Sequence, residues 1–227
     1  MFRRREFKAN AKIRFKRNYW GCVGAAVIAF GCNTVIGRVI TILERSIAGY
    51  TGGSGTGYVI GEIIVWLIRI MTIFFVTNVM VVGTDSFFIK NRMENGEISD
   101  VLSKFNSEHY GNIVKIMFLE FLYMYLWSLL FIIPGIVKFY EYRMIPYILA
   151  ENPGMNSREV FEVSKRMMNG KKWEMFVLDL SFIGWAILGI ITCGIAAVFF
   201  VMPYKNATDA EVYAFNKVQA YTEGYIR

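Results

Sequence analysis

The chain has 227 residues, of which 55% are hydrophobic and 16% aromatic, and its formal net charge is +7. Eight Lys and Arg residues and one Glu lie within residues 1–18, so the charges of residues 19–227 sum to zero. This distribution argues against a nucleic-acid-binding protein, which would carry a basic stripe on its folded domain. Three cysteines inside apolar runs do not form a disulfide framework. A basic segment directly before long apolar runs is typical of a membrane protein whose N-terminus stays in the cytoplasm.

Residues 1–18 are predicted to form a short basic amphipathic helix. Phe2, Phe7, Ile13 and Phe15 are expected to reach the lipid headgroup region, while Lys and Arg face anionic lipid. The simpler interpretation is that the segment only fixes the topology of the chain.

Long apolar runs predict the membrane spans, because a helix needs about 20 apolar residues to cross a bilayer. The runs are Tyr19–Leu43, Tyr58–Val82, Ile113–Ile133, the shorter Ile136–Ala150 and the long Trp173–Pro203. The last run exceeds one straight crossing. We expect a strongly tilted helix, a two-span hairpin or a re-entrant hairpin. A hairpin would break near Gly189–Gly194, and Thr192-Cys193-Gly194 is the favoured position.

Together these runs predict an all-α, polytopic transmembrane helical bundle with six spans, and five spans are the alternative. Residues 1–18 form a basic cytoplasmic segment, residues 19–204 the transmembrane domain, and residues 205–227 a cytoplasmic tail. The polar segments near residues 83–112 and 151–172 are expected in the cytoplasm, because six spans place the positively charged loops on that side.

Several motifs are similar to those of a known family. They are LWSLLFIIPGIVK at residues 126–138, YILAENP at residues 147–153, LSFIGW at residues 180–185, Thr192 with Gly194, and Pro203-Tyr204. This combination resembles a domain-of-unknown-function family of multipass membrane proteins found mainly in Gram-positive bacteria. The resemblance covers nearly the whole chain. It implies a multipass protein of the bacterial cytoplasmic membrane, and it implies no activity.

Charged residues within the predicted spans are the candidate functional residues, because each costs about 2.5–3.5 kcal/mol at the centre of a span. The candidate polar centre comprises Arg69, Glu120, Asp179, Glu62, Lys138 and Glu141. Arg69 is expected to pair with Glu120 or Asp179 on another helix. Such a pair either fixes the helix register or forms a polar centre for a substrate or a proton. Arg38 lies near a span end, where its side chain can snorkel to the interface.

The sequence predicts a non-enzymatic protein, since no nucleophile–base set or metal-ligand cluster stands at the spacing that such sites need. No catalytic, cofactor-binding or metal site is predicted. The charges in the spans and the helix breaks at Pro134-Gly135 and Pro146 favour binding or transport of a small amphiphile, lipid or peptide. The alternative is a structural or regulatory subunit that docks a transporter or envelope enzyme through Asp85–Tyr110 and Ser157–Lys172. The expected partners are the lipid bilayer and a membrane protein or a second copy of the chain, without nucleic acid.

Overall fold

The computed structural model describes residues 2–224, and this part of the chain contains helices and no strands. The helices are α1 Arg4–Arg17, α2 Tyr19–Thr51, α3 Gly55–Thr72, α4 Asn78–Met93, α5 Ser99–Leu102, α6 Tyr110–Leu130, α7 Ile132–Tyr142, α8 Ile145–Glu151, α9 Ser157–Met167, α10 Lys172–Leu180, α11 Ile183–Ile191 and α12 Met202–Thr222. A π-helical turn, Ile73–Thr77, joins α3 to α4, and a second, Ala197–Val201, leads into α12. A 3₁₀ turn, Ser103–Asn106, follows α5. The predicted all-α fold class is confirmed.

Within residues 2–224, four helical stretches are long and apolar enough to cross a membrane. They are Tyr19–Thr51, Gly55–Met93, Tyr110–Leu130 and Lys172–Ile191. Large apolar side chains such as Ile60, Ile64 and Leu67 are exposed along them. A soluble protein rarely exposes so much contiguous apolar surface, so these faces are suited to lipid. The described residues therefore contain four candidate membrane-spanning helices, which are compatible with a membrane protein, and the total of six spans stays a prediction.

Three helical hairpins organise the apolar part of the chain. The first joins α2 to α3 through Gly52 and Gly53, which both have positive φ angles. The second reverses at Phe131, the extended residue between α6 and α7. The third reverses at Cys193 and Gly194, where φ is 51° and 89°. The long run Trp173–Pro203 is thus a hairpin whose break lies at the predicted position.

The predicted fourth span, Ile136–Ala150, forms two short helices. The chain turns between α7 and α8 at Arg143 and Met144. Pro134 and Pro146 each lie in the first turn of one of these helices. Proline is tolerated there because the first backbone N–H groups of a helix have no intrahelical partner.

The N-terminal helix α1 packs along α12. The ring of Phe7 lies 5.3 Å from that of Phe215, and the ring of Phe15 lies 5.8 Å from that of Phe200. These phenylalanines contact protein instead of reaching the headgroups as predicted, because α12 and the π-helical turn before it present aromatic rings to α1. Ile13, which is 64% exposed, remains available to lipid.

Helices α4 and α12 lie at the centre of the part of the molecule outside the apolar hairpins, which we call the polar half. Most of α4 lies in a segment that the sequence analysis assigns to a polar connection, and most of α12 lies in the predicted tail. Nevertheless, Val82–Phe88 and Ala207–Ala214 are buried. Glu211 of α12 accepts two hydrogen bonds from Arg92 of α4, at 3.0 and 3.2 Å. Arg14 of α1 lies 3.9 Å from the same carboxylate. One buried carboxylate therefore connects three helices.

Gly83 allows α4 and α5 to approach closely. A Cβ atom at Gly83 would lie 1.9 Å from the carbonyl oxygen of Val101. We expect Gly83→Ala to lower the free energy of unfolding by about 1–3 kcal/mol, because one backbone must move. Thermal unfolding in detergent measures the change. Gly111→Ala is the matched control, since nothing lies within 4 Å of its Cβ position. Equal unfolding temperatures for Gly83→Ala and the wild type would contradict this close packing.

Cysteine labelling in intact cells tests the predicted topology. We expect a membrane-impermeant maleimide to label a cysteine at Ser54 in the first hairpin turn. Cysteines at Asn95, Asn169 and Gln219 should react only after permeabilisation, because the positive-inside rule places these segments in the cytoplasm. Cys193 is best replaced by Asn in the cysteine-free background, because its φ angle is positive. Labelling of Gln219 in intact cells would instead support five spans.

Candidate functional site

The structure separates the predicted polar centre into distinct places. Glu120 and Asp179 lie around one buried ionic network between α7, α10 and α12. Lys138 and Glu141 form a second network with Lys172. The remaining two residues, Arg69 and Glu62, are on α3, and Glu62 forms no ion pair with the residues that the structure describes.

The central cluster consists of Arg143, Asp179, Lys205 and Asp209. Arg143 donates to Asp209 at 2.8 Å and lies 3.9 Å from Asp179. Lys205 lies 2.5 Å from Asp209 and 2.8 Å from Asp179. Two cations thus face two carboxylates, and the cluster joins the α7–α8 turn to α10 and α12.

Three further polar groups border the central cluster. The hydroxyl of Tyr140 donates to Asp179 at 3.0 Å. Asp85 of α4 and Tyr147 of α8 are both buried and lie close to each other. Glu120 of α6 is near Arg143 and Asp85, and its Oε2 atom is buried without a hydrogen-bond partner among the described residues. The carboxyl groups of α4 and α6 therefore surround the cluster without completing an ion pair.

The charge balance favours the register-fixing interpretation of the central cluster. Burial alone would raise the pKa of Asp209, but Lys205 and Arg143 outweigh burial and lower this pKa below its ordinary value. A carboxylate stabilised by two cations is held ionised and in place. Lys205 and Asp209 escaped the sequence analysis because it assigned them to a tail. Their i, i+4 spacing on one helix is the signal that could have found them.

The second network ties α7 to α9 and α10. Glu141 accepts from Lys138 at 2.7 Å and from Lys172 at 2.6 Å, and its backbone carbonyl accepts from Ser164. Lys138 also lies 5.0 Å from the ring centroid of Trp127. Both lysines therefore share one carboxylate, and these three groups keep an excess of one positive charge.

Asp209→Asn should weaken the fold at neutral pH. Removing one partner of a buried ion pair costs about 3–5 kcal/mol. Because the folded-state pKa of Asp209 is lowered, its contribution is present above the unfolded pKa of about 3.9 and is lost as the pH falls through the folded pKa. The difference in unfolding free energy between wild type and variant should therefore stay constant from about pH 8 to pH 5 and shrink below about pH 4.

Thermal unfolding at a series of pH values measures this difference. Glu162→Gln is the control, because the side chain of Glu162 is 52% exposed in its pair with Arg166. An exposed pair contributes about 0–1 kcal/mol. A difference for Asp209→Asn that is equally small would contradict the role of the cluster.

Arg69 forms an ion pair with Glu44 of the neighbouring helix α2, at 2.5 Å. The sequence analysis instead expects Glu120 or Asp179 as its partner. The antiparallel packing of α2 against α3 explains the difference, because it places Glu44 beside Arg69 within the first hairpin. The side chain of Arg69 is 45% exposed on an apolar helix.

Two cavities meet at Arg69 and Ile73. The polar cavity, about 490 Å³, lies between α2 and α3 and is lined by Asn33, Thr34, Ile36, Gly37, Arg38, Ile40, Thr41, Arg69, Thr72, Ile73 and Thr77. The apolar cavity, about 450 Å³, lies between α3 and α6 and is lined by Trp66, Arg69, Ile70, Ile73, Phe74, Phe121 and Tyr125. We call the two cavities together the arginine groove. Its polar and aromatic parts are joined by a single cationic side chain.

Arg38 is the main hydrogen-bond donor of the arginine groove that has no acceptor among the described residues. Thr41 and Thr72 donate their hydroxyl hydrogens to carbonyls of their own helices, at 2.9 and 2.8 Å. Thr77 donates to Asn33 at 2.7 Å. Arg38 is exposed and forms no ion pair or hydrogen bond with any residue from 2 to 224. A guanidinium in an apolar helix is costly unless an acceptor meets it, so the groove is suited to an anionic group.

The π-helical turn Ile73–Thr77 forms the end of the groove at which α3 continues into α4. Its side chains Ile73, Phe74 and Thr77 line one or both cavities. A π turn adds a residue to the helical repeat and is frequent at functional sites. The ring of Phe74 also packs 5.4 Å from that of Phe121, which fixes the distance between α3 and α6.

Among the described residues, no three His, Cys, Asp or Glu side chains group closely enough to hold a metal ion.

A protein-family model described as a protein of unknown function, DUF975, matches residues 130–217. The similarity to an uncharacterised family is confirmed for this part of the chain, which runs from the end of α6 into α12. It contains the central cluster, whereas Arg38 and Arg69 precede it. No curated protein and no solved structure matches the chain.

Proposed function

We propose that the protein binds a small anionic amphiphile from the bilayer in the arginine groove. The observation that carries the proposal is the position of Arg69 at the junction of a polar and an aromatic cavity. A carboxylate or phosphate head would lie between Arg38 and Arg69, and an acyl chain would lie against Phe74, Phe121 and Tyr125.

Size and charge support this occupant. Ligand sites are typically about 300–1,000 Å³ with few placed polar groups, and the two cavities fall in that range at about 490 and 450 Å³. The groove contains two guanidinium groups and one nearby carboxylate, Glu44, so it has an excess of one positive charge. A cationic or neutral head would leave Arg38 without an acceptor, whereas an anionic head provides charge-assisted hydrogen bonds.

In the predicted topology, the ligand reaches the arginine groove from the lipid phase. With the N-terminus in the cytoplasm, α2 and α3 form an outward hairpin whose sides carry exposed apolar residues such as Val39 and Ile63. The groove opens between these helices and α6. An amphiphile can therefore enter laterally, with its chain already in an apolar environment and its head guided by the arginines.

Binding of a fluorescent fatty acid to the protein in nanodiscs tests the proposal, with the corresponding fatty alcohol as the neutral probe. Arg38→Gln should raise the dissociation constant of the fatty acid by about tenfold, the effect of losing one charge-assisted hydrogen bond. It should leave alcohol binding unchanged. Phe121→Ala should weaken binding of both probes, because it removes apolar contact from the chain site.

Arg45→Gln is the matched control, since Arg45 is exposed on the same helix and lines neither cavity. Arg38 is a better test than Arg69, whose replacement would also leave Glu44 unpaired. If Arg38→Gln and Arg45→Gln bind the fatty acid as tightly as the wild type, the groove does not select an anionic head, and the proposal fails.

A docking subunit is the second candidate function. The observation that favours it is α9, whose Glu159, Glu162 and Lys165 are exposed while Val160 and Val163 pack against the protein. A charged face of this kind suits a polar, reversible contact. Purification in mild detergent after replacement of Glu159 and Lys165 by Ala would release a bound membrane protein if this face holds it.

A further inference from the structure

A third cavity lies on the same side of the molecule as α1, away from the first hairpin turn. Its volume is about 680 Å³, and it is lined by Ser86, Ile89, Lys90, Ser103, Lys104, Ser107, Ala150, Glu151, Asn152, Lys217 and Tyr221. Four segments form its walls: α4, the α5–α6 connection, the end of α8 and α12. We call this cavity the lysine pocket.

Three ammonium groups converge on the lysine pocket. Lys90 pairs with Asp100. Lys217 lies 2.5 Å from Glu151, which also accepts from the hydroxyl of Tyr213. Two carboxylates thus face three lysines, and the pocket retains an excess of one positive charge.

Lys104 carries this excess. Its ammonium donates to the backbone carbonyl of Ala150 at 2.6 Å and forms no ion pair with any described residue. Burial lowers the pKa of Lys104 below its ordinary value, and the charge of Lys90 lowers it further, while Asp100 opposes the shift only in part. A further anion in the pocket would relieve both effects, because an opposite charge favours the protonated lysine.

Hydroxyl groups supply the remaining donors. Ser86, Ser103 and Ser107 line the pocket from α4 and from the segment after α5. Ser103 donates to the carbonyl of Asp100, and Ser107 accepts from the backbone N–H of His109. The hydroxyl of Ser107 can therefore still donate its hydrogen. Lysines and hydroxyls around one cavity match the three acceptor oxygens and the charge of about −1.5 to −2 of a phosphate monoester.

We propose that the lysine pocket binds a phosphate group, with Lys104 as its principal cation and Lys90, Lys217 and Ser107 as supporting donors. The phosphate belongs either to a small soluble compound or to a lipid headgroup that enters from the start of α6. The pocket is separate from the arginine groove, so a ligand bound here would act on the protein from its polar side.

Thermal unfolding of the full chain in detergent tests the site. One arm adds the soluble phosphate monoester glycerol 3-phosphate, and a second adds the lipid monoester dihexanoyl phosphatidic acid, each as its sodium salt and compared with sodium chloride at the same ionic strength. A ligand that binds the folded state raises the unfolding temperature by mass action. We expect one arm to do so, and the arm that responds identifies the source of the phosphate.

Lys104→Gln should raise the apparent dissociation constant of the active probe by about tenfold, while keeping a donor for Ala150. Ser107→Ala provides a second variant if Lys104→Gln does not fold, and it should weaken binding severalfold. Lys16→Gln is the matched control, because Lys16 is exposed on α1 and lies outside the pocket. Absence of stabilisation in both arms, or equal stabilisation of wild type, Lys104→Gln and Ser107→Ala, would overturn the proposal.

Discussion

Arg143 and Lys205 form ion pairs with Asp179 and Asp209. These pairs determine how the apolar hairpins meet the polar half of the molecule. A charge in an apolar region is tolerated only when a partner compensates for its lost hydration. The four residues come from the α7–α8 turn, α10 and α12, so their pairing requires these elements to lie side by side. The second and third hairpins are thereby fixed to the same helix, α12. Packing of α1 and α4 on the other faces of α12 then completes the core.

The apolar runs of the sequence contain most of the information on the spans, because lipid-facing helices need long apolar segments wherever they pack. The break at Thr192–Gly194 was also predictable, since a residue with positive φ favours glycine and a run of this length exceeds one crossing. Packing on α12 was not predictable in the same way. Its surface alternates Ala207 and Ala210 with Asp209 and Glu211, so its hydropathy resembles that of a solvated tail. The buried carboxylates of α12 pair with arginines that are distant in sequence, and Asp209 also pairs with Lys205 one turn away on the same helix.

The candidate site, too, could be predicted only in part from the sequence. Arg69 was identifiable because an arginine in an apolar run is costly, but its partner was not, because many carboxylates occur in the chain. The hairpin turn selects Glu44 by geometry. Arg38 was interpreted as a residue that snorkels near a span end. Only the packing of α2 against α3 places it beside a cavity that it shares with Arg69. Side chains that line a cavity between helices carry no local signature, since each helix contributes them at its own spacing.

Helix α6 links the arginine groove to the central cluster through consecutive residues. Phe121 lines the apolar cavity, and the preceding residue, Glu120, lies near Arg143 and Asp85. Neighbouring residues on a helix point in directions about 100° apart, so α6 presents one side chain to the arginine groove and the next to the central cluster. A ligand that moves α6 away from α3 would also change the distance from Glu120 to Arg143. Glu120 is suited to respond, because its Oε2 atom is buried and has no hydrogen-bond partner to hold it among the described residues. The groove and the cluster therefore share one helix, so a displacement of α6 by the proposed ligand would also move Glu120 relative to Arg143.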